Sequence, residues 1–349
     1  MTELDTAAQS RINERIALLI GAKRAQVQAA VDLLDEGATV PFIARYRKEA
    51  TGGLDDTQLR NLQEALVYGR EMEERRAAVI ASVTEQGKMT PELLAQIETA
   101  DSKQRIEDLY LPFKPKRRTR AQIAIAAGLA PLADKLLADP TLTPETEAAA
   151  FVSTEKGVAD VKAALDGARD ILAERFAENA DMLEMLRSWL WTHAFIVSAV
   201  VEDKRNTEEA AKFRDYFDYS EGINEVASHR ALALFRGRQE GVLTLKMLLT
   251  EDEEALPVHP CQVKIADFLG LTNKGRAADA WLASVVRWTW RVKCLTTLET
   301  DLFTRLRNEA QEKAIGVFGT NLKDLLLAAP AGHKGAVSYT HLTLPTTRR

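Results

Sequence analysis

Apolar residues recur every three to four positions along most of this chain, the repeat of a helix with one buried face. Ile12, Ile16, Leu19 and Ile20 share one face of a first helix, and Val27, Ala30, Val31 and Leu34 one face of a second. Gly21 and Gly37 sit just past the two ends, where a helix can close on a left-handed residue. Asp55 and Gln58 have the spacing of a capping box and open a long helix to about Gln86, apolar at Leu59, Leu62, Leu66, Val79 and Val83. Its charged middle, Arg70–Arg76, reads as a solvated face with i,i+4 pairs such as Glu71–Arg75. Thr90-Pro91 and Thr143-Pro144 each pair a cap with a proline at the first helical position. Further helices are predicted at Asp101–Tyr110, Val158–Asn179, Asp181–Val201, Arg276–Leu295, Leu298–Phe318 and Asn321–Leu327. In Arg276–Leu295, Trp281, Val285, Trp288 and Val292 stand at core spacing. Only Gly241–Leu249 alternates like a strand, with Leu243, Leu245 and Met247 set against Thr244 and Lys246.

The pattern predicts a mainly α fold: a multi-helical scaffold with a helix-turn-helix-like subdomain and at most a short β element. It divides into an N-terminal helical region (1–118), the helix-turn-helix-like subdomain (119–202) and a helical region with one strand (203–332). The final stretch, 333–349, is expected to be a disordered tail. Val337–Arg349 is rich in Ser and Thr, has no helical period and resembles the spurious translated ends of truncated reading frames.

The stretch Leu109–Leu129 organises the candidate chemistry. Pro112 and Pro115 hold its first part out of a helix. Five cations follow closely: Lys114, Lys116, Arg117, Arg118 and Arg120. A short apolar helix, Ala121–Ala127, then stops at Gly128 before the next apolar run. A stiff basic arm before a helix, a tight turn and a second helix suits a small nucleic-acid-docking unit. It equally suits a solvated loop leading into an ordinary helical hairpin. Thr39–Asp56 is the second mixed stretch, with Arg45, Arg47 and Lys48 beside Phe42 and Tyr46. Cations among aromatics suit contacts to phosphates and bases. They also suit a short helix whose aromatics are in the core and whose arginines pair with Glu49, Asp55 or Asp56.

The 349 residues carry a net charge of −5, so a nucleic-acid site here is a local patch and not a global field. Two cysteines, Cys261 and Cys294, exclude a disulfide framework and suit the reducing cytoplasm. There is no N-terminal apolar segment of a signal peptide and no run of the roughly 20 apolar residues that a membrane span needs. Phosphate-binding glycine loops, a zinc-spaced cysteine pair, H-E-x-x-H and a nucleophile elbow are all missing, so neither a cofactor nor an enzymatic activity is expected.

Several literal runs resemble the bacterial Tex family of transcription accessory proteins. They are VPFIARYRKEATGGLDDTQL, EDLYLPFKPKRRTRAQIA, GARDILAERFAE, KFRDYFDYSE, SHRALALFRGR and NLKDLLLAAPAG, and the resemblance runs from about Arg11 to Gly332. It implies an N-terminal helical region with a helix-turn-helix-like unit, followed in the family by a YqgF-type nuclease-like domain, a helix-hairpin-helix module and an OB-fold RNA-binding domain. The sequence departs from the family after AAPAG, where the nuclease-like domain is expected to begin.

Two functions are therefore weighed. The first is binding of RNA or DNA in transcription through Lys114, Lys116, Arg117, Arg118 and Arg120, with Arg45, Arg47, Arg236 and Arg238 as further phosphate contacts. The second is a helical scaffold that docks transcription machinery, nucleic-acid binding residing in domains beyond this chain.

Overall fold

Caps and close-packed small residues set the helix boundaries in the computed structural model, which describes residues 6–115, 118–250 and 256–328. The predicted tail, and Lys116 and Arg117 of the basic arm, lie outside the described residues. The chain divides into two units, one of residues 1–186 and 258–295, the other of residues 187–257 and 296–349.

The first unit begins with α1 (Thr6–Ile20), α2 (Arg24–Asp35), α3 (Val40–Tyr46) and α4 (Asp56–Glu85). Ile12, Ile16, Val27, Val31, Ile43, Leu59 and Leu62 form their shared core. Both halves of the Asp55–Gln58 capping box are made, at 2.7 and 3.1 Å. The Gln58 amide also donates to the Ile20 carbonyl at the end of α1 (3.0 Å), so one residue closes two helix ends. A second core joins the later part of α4 (Met72, Val79, Val83) to α5 (Pro91–Thr99) and α6 (Lys103–Tyr110) through Ile97, Ile106 and Leu109.

The charged middle of α4 is not the solvated face that the sequence suggests. Glu73 and Arg76 are buried and bonded to each other. Arg76 Nη2 donates to the Ala100 carbonyl (2.7 Å), and Arg11 Nη2 to Glu73 (2.6 Å). The Glu71–Arg75 pair is not formed: Glu71 bonds Lys103 and Arg75 bonds Glu107, both on α6. Glu71 and Arg75 pair across to α6 because it lies against this face, while Glu73–Arg76 stays within α4.

Next come α7 (Arg120–Ala126), α8 (Ala130–Ala138), α9 (Pro144–Ala149) and α10 (Val161–Ala177), with α10 packed on the other three. α7 and α8 meet at 99°, turned by Gly128 at φ +85°, a conformation that glycine adopts without strain. The unit closes with the first part of α11 (Ala180–His193), α13 (Pro260–Leu269) and α14 (Asp279–Trp288). α14 runs into a π-helical turn, Thr289–Cys294. The wider turn breaks the 3.6-residue phase, so Trp290 and Cys294 are buried while Val292, predicted as core, is half exposed.

The second unit holds the sheet. The predicted helix Asp181–Val201 stops at His193, and β1 (Phe195–Val200) follows. β1 is the central strand, paired antiparallel with β2 (Asp218–Gly222) on one side and β3 (Leu243–Leu248) on the other. Ser198 lies opposite both Tyr219 and Leu245. A β-branched run with Ile196, Ser198 and Val200 buried explains the strand, and pairing on both edges overrides the helical reading. α12 (Ser228–Gln239) packs on β3, and α15 (Leu295–Leu327) carries Leu298, Leu302, Phe303, Leu306 and Ala310 inward. The three-stranded sheet among fifteen α-helices in the described residues makes the fold mainly α. No single described helix is long and apolar enough to cross a membrane.

Candidate nucleic-acid interface

α3 has seven residues and two inward positions, Val40 and Ile43, which are 3% and 0% exposed. That phase turns Phe42 and Tyr46 outward, to 42% and 69% exposure. Their ring centroids are 5.4 Å apart, and the Arg47 guanidinium lies 5.8 Å from the Phe42 ring. Arg45, Arg47 and Lys48 are exposed, and no ion pair involves them among the described residues. The core reading of these aromatics is thereby overturned. Of the acids that could neutralise the arginines, Asp55 caps α4 and Asp56 pairs with Arg60 at 2.8 Å. The turn after α3 is rigidly built. Thr51 is fully buried, and Gly52 and Gly53 take φ of +62° and +90°. The Gln26 amide donates to the Gly52 carbonyl at 2.9 Å.

The basic arm begins in a 3-10 turn, Leu111–Phe113, after α6. Lys114 pairs with Glu107 (2.5 Å) and lies 5.8 Å from the Tyr110 ring. Burial alone would raise the Glu107 carboxyl, but the hydrogen bonds from Arg75 and Lys114 outweigh it and hold the group below the usual carboxylate range. Lys114 is thus a structural anchor of the arm. Arg118 and Arg120 are exposed and flank Thr119, which caps α7 by bonding the Gln122 amide (3.1 Å) and donates to Glu174 (3.1 Å). Neither arginine forms an ion pair among the described residues.

The bent α7–α8 pair has the outline of a helix-turn-helix without a cationic reading surface. The second helix, which such a unit inserts in a groove, shows Asp134, and Asp139 follows at its end. Its Lys135 is held by Glu147 at 2.5 Å, and Asp134 pairs with Arg175 at 2.8 Å.

Arg236 and Arg238 lie in the second unit, on α12. Arg236 bonds Glu240 (2.8 Å), and Arg238 is exposed 5.9 Å from the Phe303 ring. Arg307 on α15 lines the same cleft as these two. Sequence reasoning missed Arg307 because nothing local marks it. The described cations thus fall in three places: the end of α3 (Arg45, Arg47), the arm and first residue of α7 (Lys114, Arg118, Arg120), and α12 (Arg236, Arg238). His259 caps α13 by accepting from the Cys261 amide (3.1 Å), and its ring lies tilted against Trp290 with centroids 4.8 Å apart.

Comparison with known proteins fits both units. Residues 139–318 match the family model described as Tex central region-like, and residues 10–84 the Tex-like protein N-terminal domain. Protein tex of Bordetella pertussis is 58% identical over 330 residues, covering 93% of this chain and 42% of that protein. Protein YhgF of Escherichia coli is 58% identical over 318 residues, 91% of this chain and 41% of that one. The transcriptional accessory protein Tex of Neisseria gonorrhoeae is 52% identical over 313 residues, 90% of this chain and 40% of that one. The chain therefore spans about two fifths of the length of these relatives. Matched over more than half its length and closely similar to named members, this chain belongs to the Tex family.

Proposed function

We propose that this chain is the helical part of a cytoplasmic transcription accessory protein, and that it holds single-stranded RNA or DNA by its phosphates. The exposed Phe42–Tyr46 pair beside unpaired Arg45, Arg47 and Lys48 carries the reading. Outward aromatic rings offer stacking platforms to bases, and the cations around them attract the backbone. Arg118 and Arg120, with Lys116 and Arg117 between them and the Lys114 anchor, supply further phosphate contacts. Such contacts position a strand without reading its sequence. The activity in this reading is binding.

The test is anisotropy of labelled single-stranded RNA and duplex DNA over a salt series. Arg45→Glu/Arg47→Glu and Arg118→Glu/Arg120→Glu are each expected to flatten the salt dependence, by about 0.7 in log–log slope for each single-strand phosphate that is no longer neutralised. Phe42→Ala/Tyr46→Ala is expected to cost about 1–3 kcal/mol for each base unstacked. Wild-type affinity and slope in all three variants would refute the reading.

A protein-docking scaffold for transcription machinery is the second reading, favoured by the −5 net charge. Under it, charge reversal at Lys116, Arg117 and Arg118 leaves the low nucleic-acid affinity of the chain unchanged.

A further inference from the structure

Between α12 and α15 the second unit opens a cleft of about 1070 Å³, at the upper end of the range of small-molecule sites. Arg236 and Arg238 line it from α12, and Arg307 from α15. Two acids also line it, and both are engaged. Glu240 bonds Lys212 (2.6 Å) and Arg236 (2.8 Å), which hold its carboxyl below the usual range. Glu299 accepts the Met247 amide at 2.8 Å. Arg238 and Arg307 are left exposed, with no carboxylate partner among the described residues.

The floor beneath Arg238 is aromatic. Phe303 is 4% exposed, and the guanidinium lies 5.9 Å from its ring. A guanidinium resting on a ring keeps its planar fork of donors directed outward, the geometry that grips phosphate oxygens two at a time. With Arg307 as a second guanidinium on the other helix, a cleft too large for a single inorganic ion matches a ligand with more than one phosphate or with a phosphate and a ring.

We propose that the α12–α15 cleft binds a phosphate-bearing ligand of nucleotide size through Arg238 and Arg307. The site lies wholly in the second unit and does not depend on strand binding by α3. The phosphate can come from a free nucleotide or from the backbone of a strand, and the experiment separates the two.

Calorimetric titrations of the intact chain would use ADP, inorganic pyrophosphate and a single-stranded RNA of about 12 nucleotides. ADP or pyrophosphate binding that weakens at least about tenfold in Arg238→Gln/Arg307→Gln is the expected result, with far-UV circular dichroism unchanged because both side chains are exposed. Arg238→Lys/Arg307→Lys, which keeps the charge and loses the fork, is expected to fall between the two. RNA binding that falls in Arg238→Gln/Arg307→Gln, without binding of either small anion, supports the site and names a strand as its source. No binding of ADP or pyrophosphate, with RNA affinity indifferent to Arg238→Gln/Arg307→Gln, overturns the proposal whatever the α3 variants show.

Discussion

Replacing Arg76 with Met tests whether the N-terminal helices are held by a buried ion pair. Arg76 and Glu73 are 4% and 7% exposed. Arg76 also donates to the Ala100 carbonyl at the end of α5. Its removal leaves that carbonyl unpaired and Glu73 buried with Arg11 as its remaining cation. Breaking a buried pair from one side costs about 3–5 kcal/mol. Two observations put Arg76→Met at the low end. Arg11 still reaches Glu73 at 2.6 Å, and Arg76 Nε is buried without a partner, so its loss removes an existing penalty. We expect about 3 kcal/mol, which raises the opening of α4–α5 by roughly 100-fold. The double variant Arg76→Met/Glu73→Leu removes both buried charges, and Arg11 is already half exposed. It is expected to lose only about 1 kcal/mol, about 2 kcal/mol less than the single variant. Urea unfolding followed by circular dichroism, with native-state hydrogen exchange of the α4 and α5 amides, reads both. A single variant within about 0.5 kcal/mol of wild type, or a double variant as damaging as the single, would refute the reasoning.

Three further outcomes are expected. A Cβ added at Gly237 would sit 2.5 Å from Leu243 Cδ1 and 3.2 Å from Phe213 Cδ1. Gly237→Ala should therefore lose more to overpacking (about 1–3 kcal/mol) than it gains in helix propensity (about 1 kcal/mol), lowering the melting temperature, with partial rescue by Leu243→Val. The Asp279 carboxyl is bonded by the Arg276 side chain and, against its burial, by the Arg276 and Lys274 amides, which hold it down to about 2. An unfolded aspartate titrates near about 3.9. The stability from Asp279 is thus complete above about pH 4 and is lost as pH falls through about 2, and Asp279→Asn should flatten acid unfolding across that window. Burial pushes the Cys294 thiol up to about 12, and Cys261 is fully buried, so Ellman's reagent should titrate both thiols in denaturant and neither at neutral pH in the native chain.

Helices were readable where local chemistry decides them. The Asp55 and Thr90 caps, the Gly128 turn and the alternation of β3 act within a few residues of themselves. β1 was hidden because the run from Leu190 to Val201 is apolar in either period, and its strand character comes from partners at Asp218–Gly222 and Leu243–Leu248. The π-helical turn was hidden because its sequence keeps a helical spacing while its backbone does not. In α3 the spacing could not say whether Phe42 and Tyr46 or Val40 and Ile43 face inward, and packing on α2 and α4 chose the smaller pair. The cations were visible as residues, but their partners were not. Lys114 and Arg236 are neutralised by Glu107 and Glu240, whereas Arg238 gains its setting from Phe303 on a distant helix.

α15 carries buried residues only as far as Ala310 and then continues to Leu327. Its first half meets the nucleation cost through the core, so the exposed half persists by propagation alone, one hydrogen bond per residue. Gly316 and Gly319 each weaken that propagation by about 1 kcal/mol relative to alanine. Melting therefore has a preferred starting place. As temperature rises, the helix shortens from its C-terminal end to the glycines and then to Ala310, where the core arrests it, so its length is a thermal variable with a fixed lower bound.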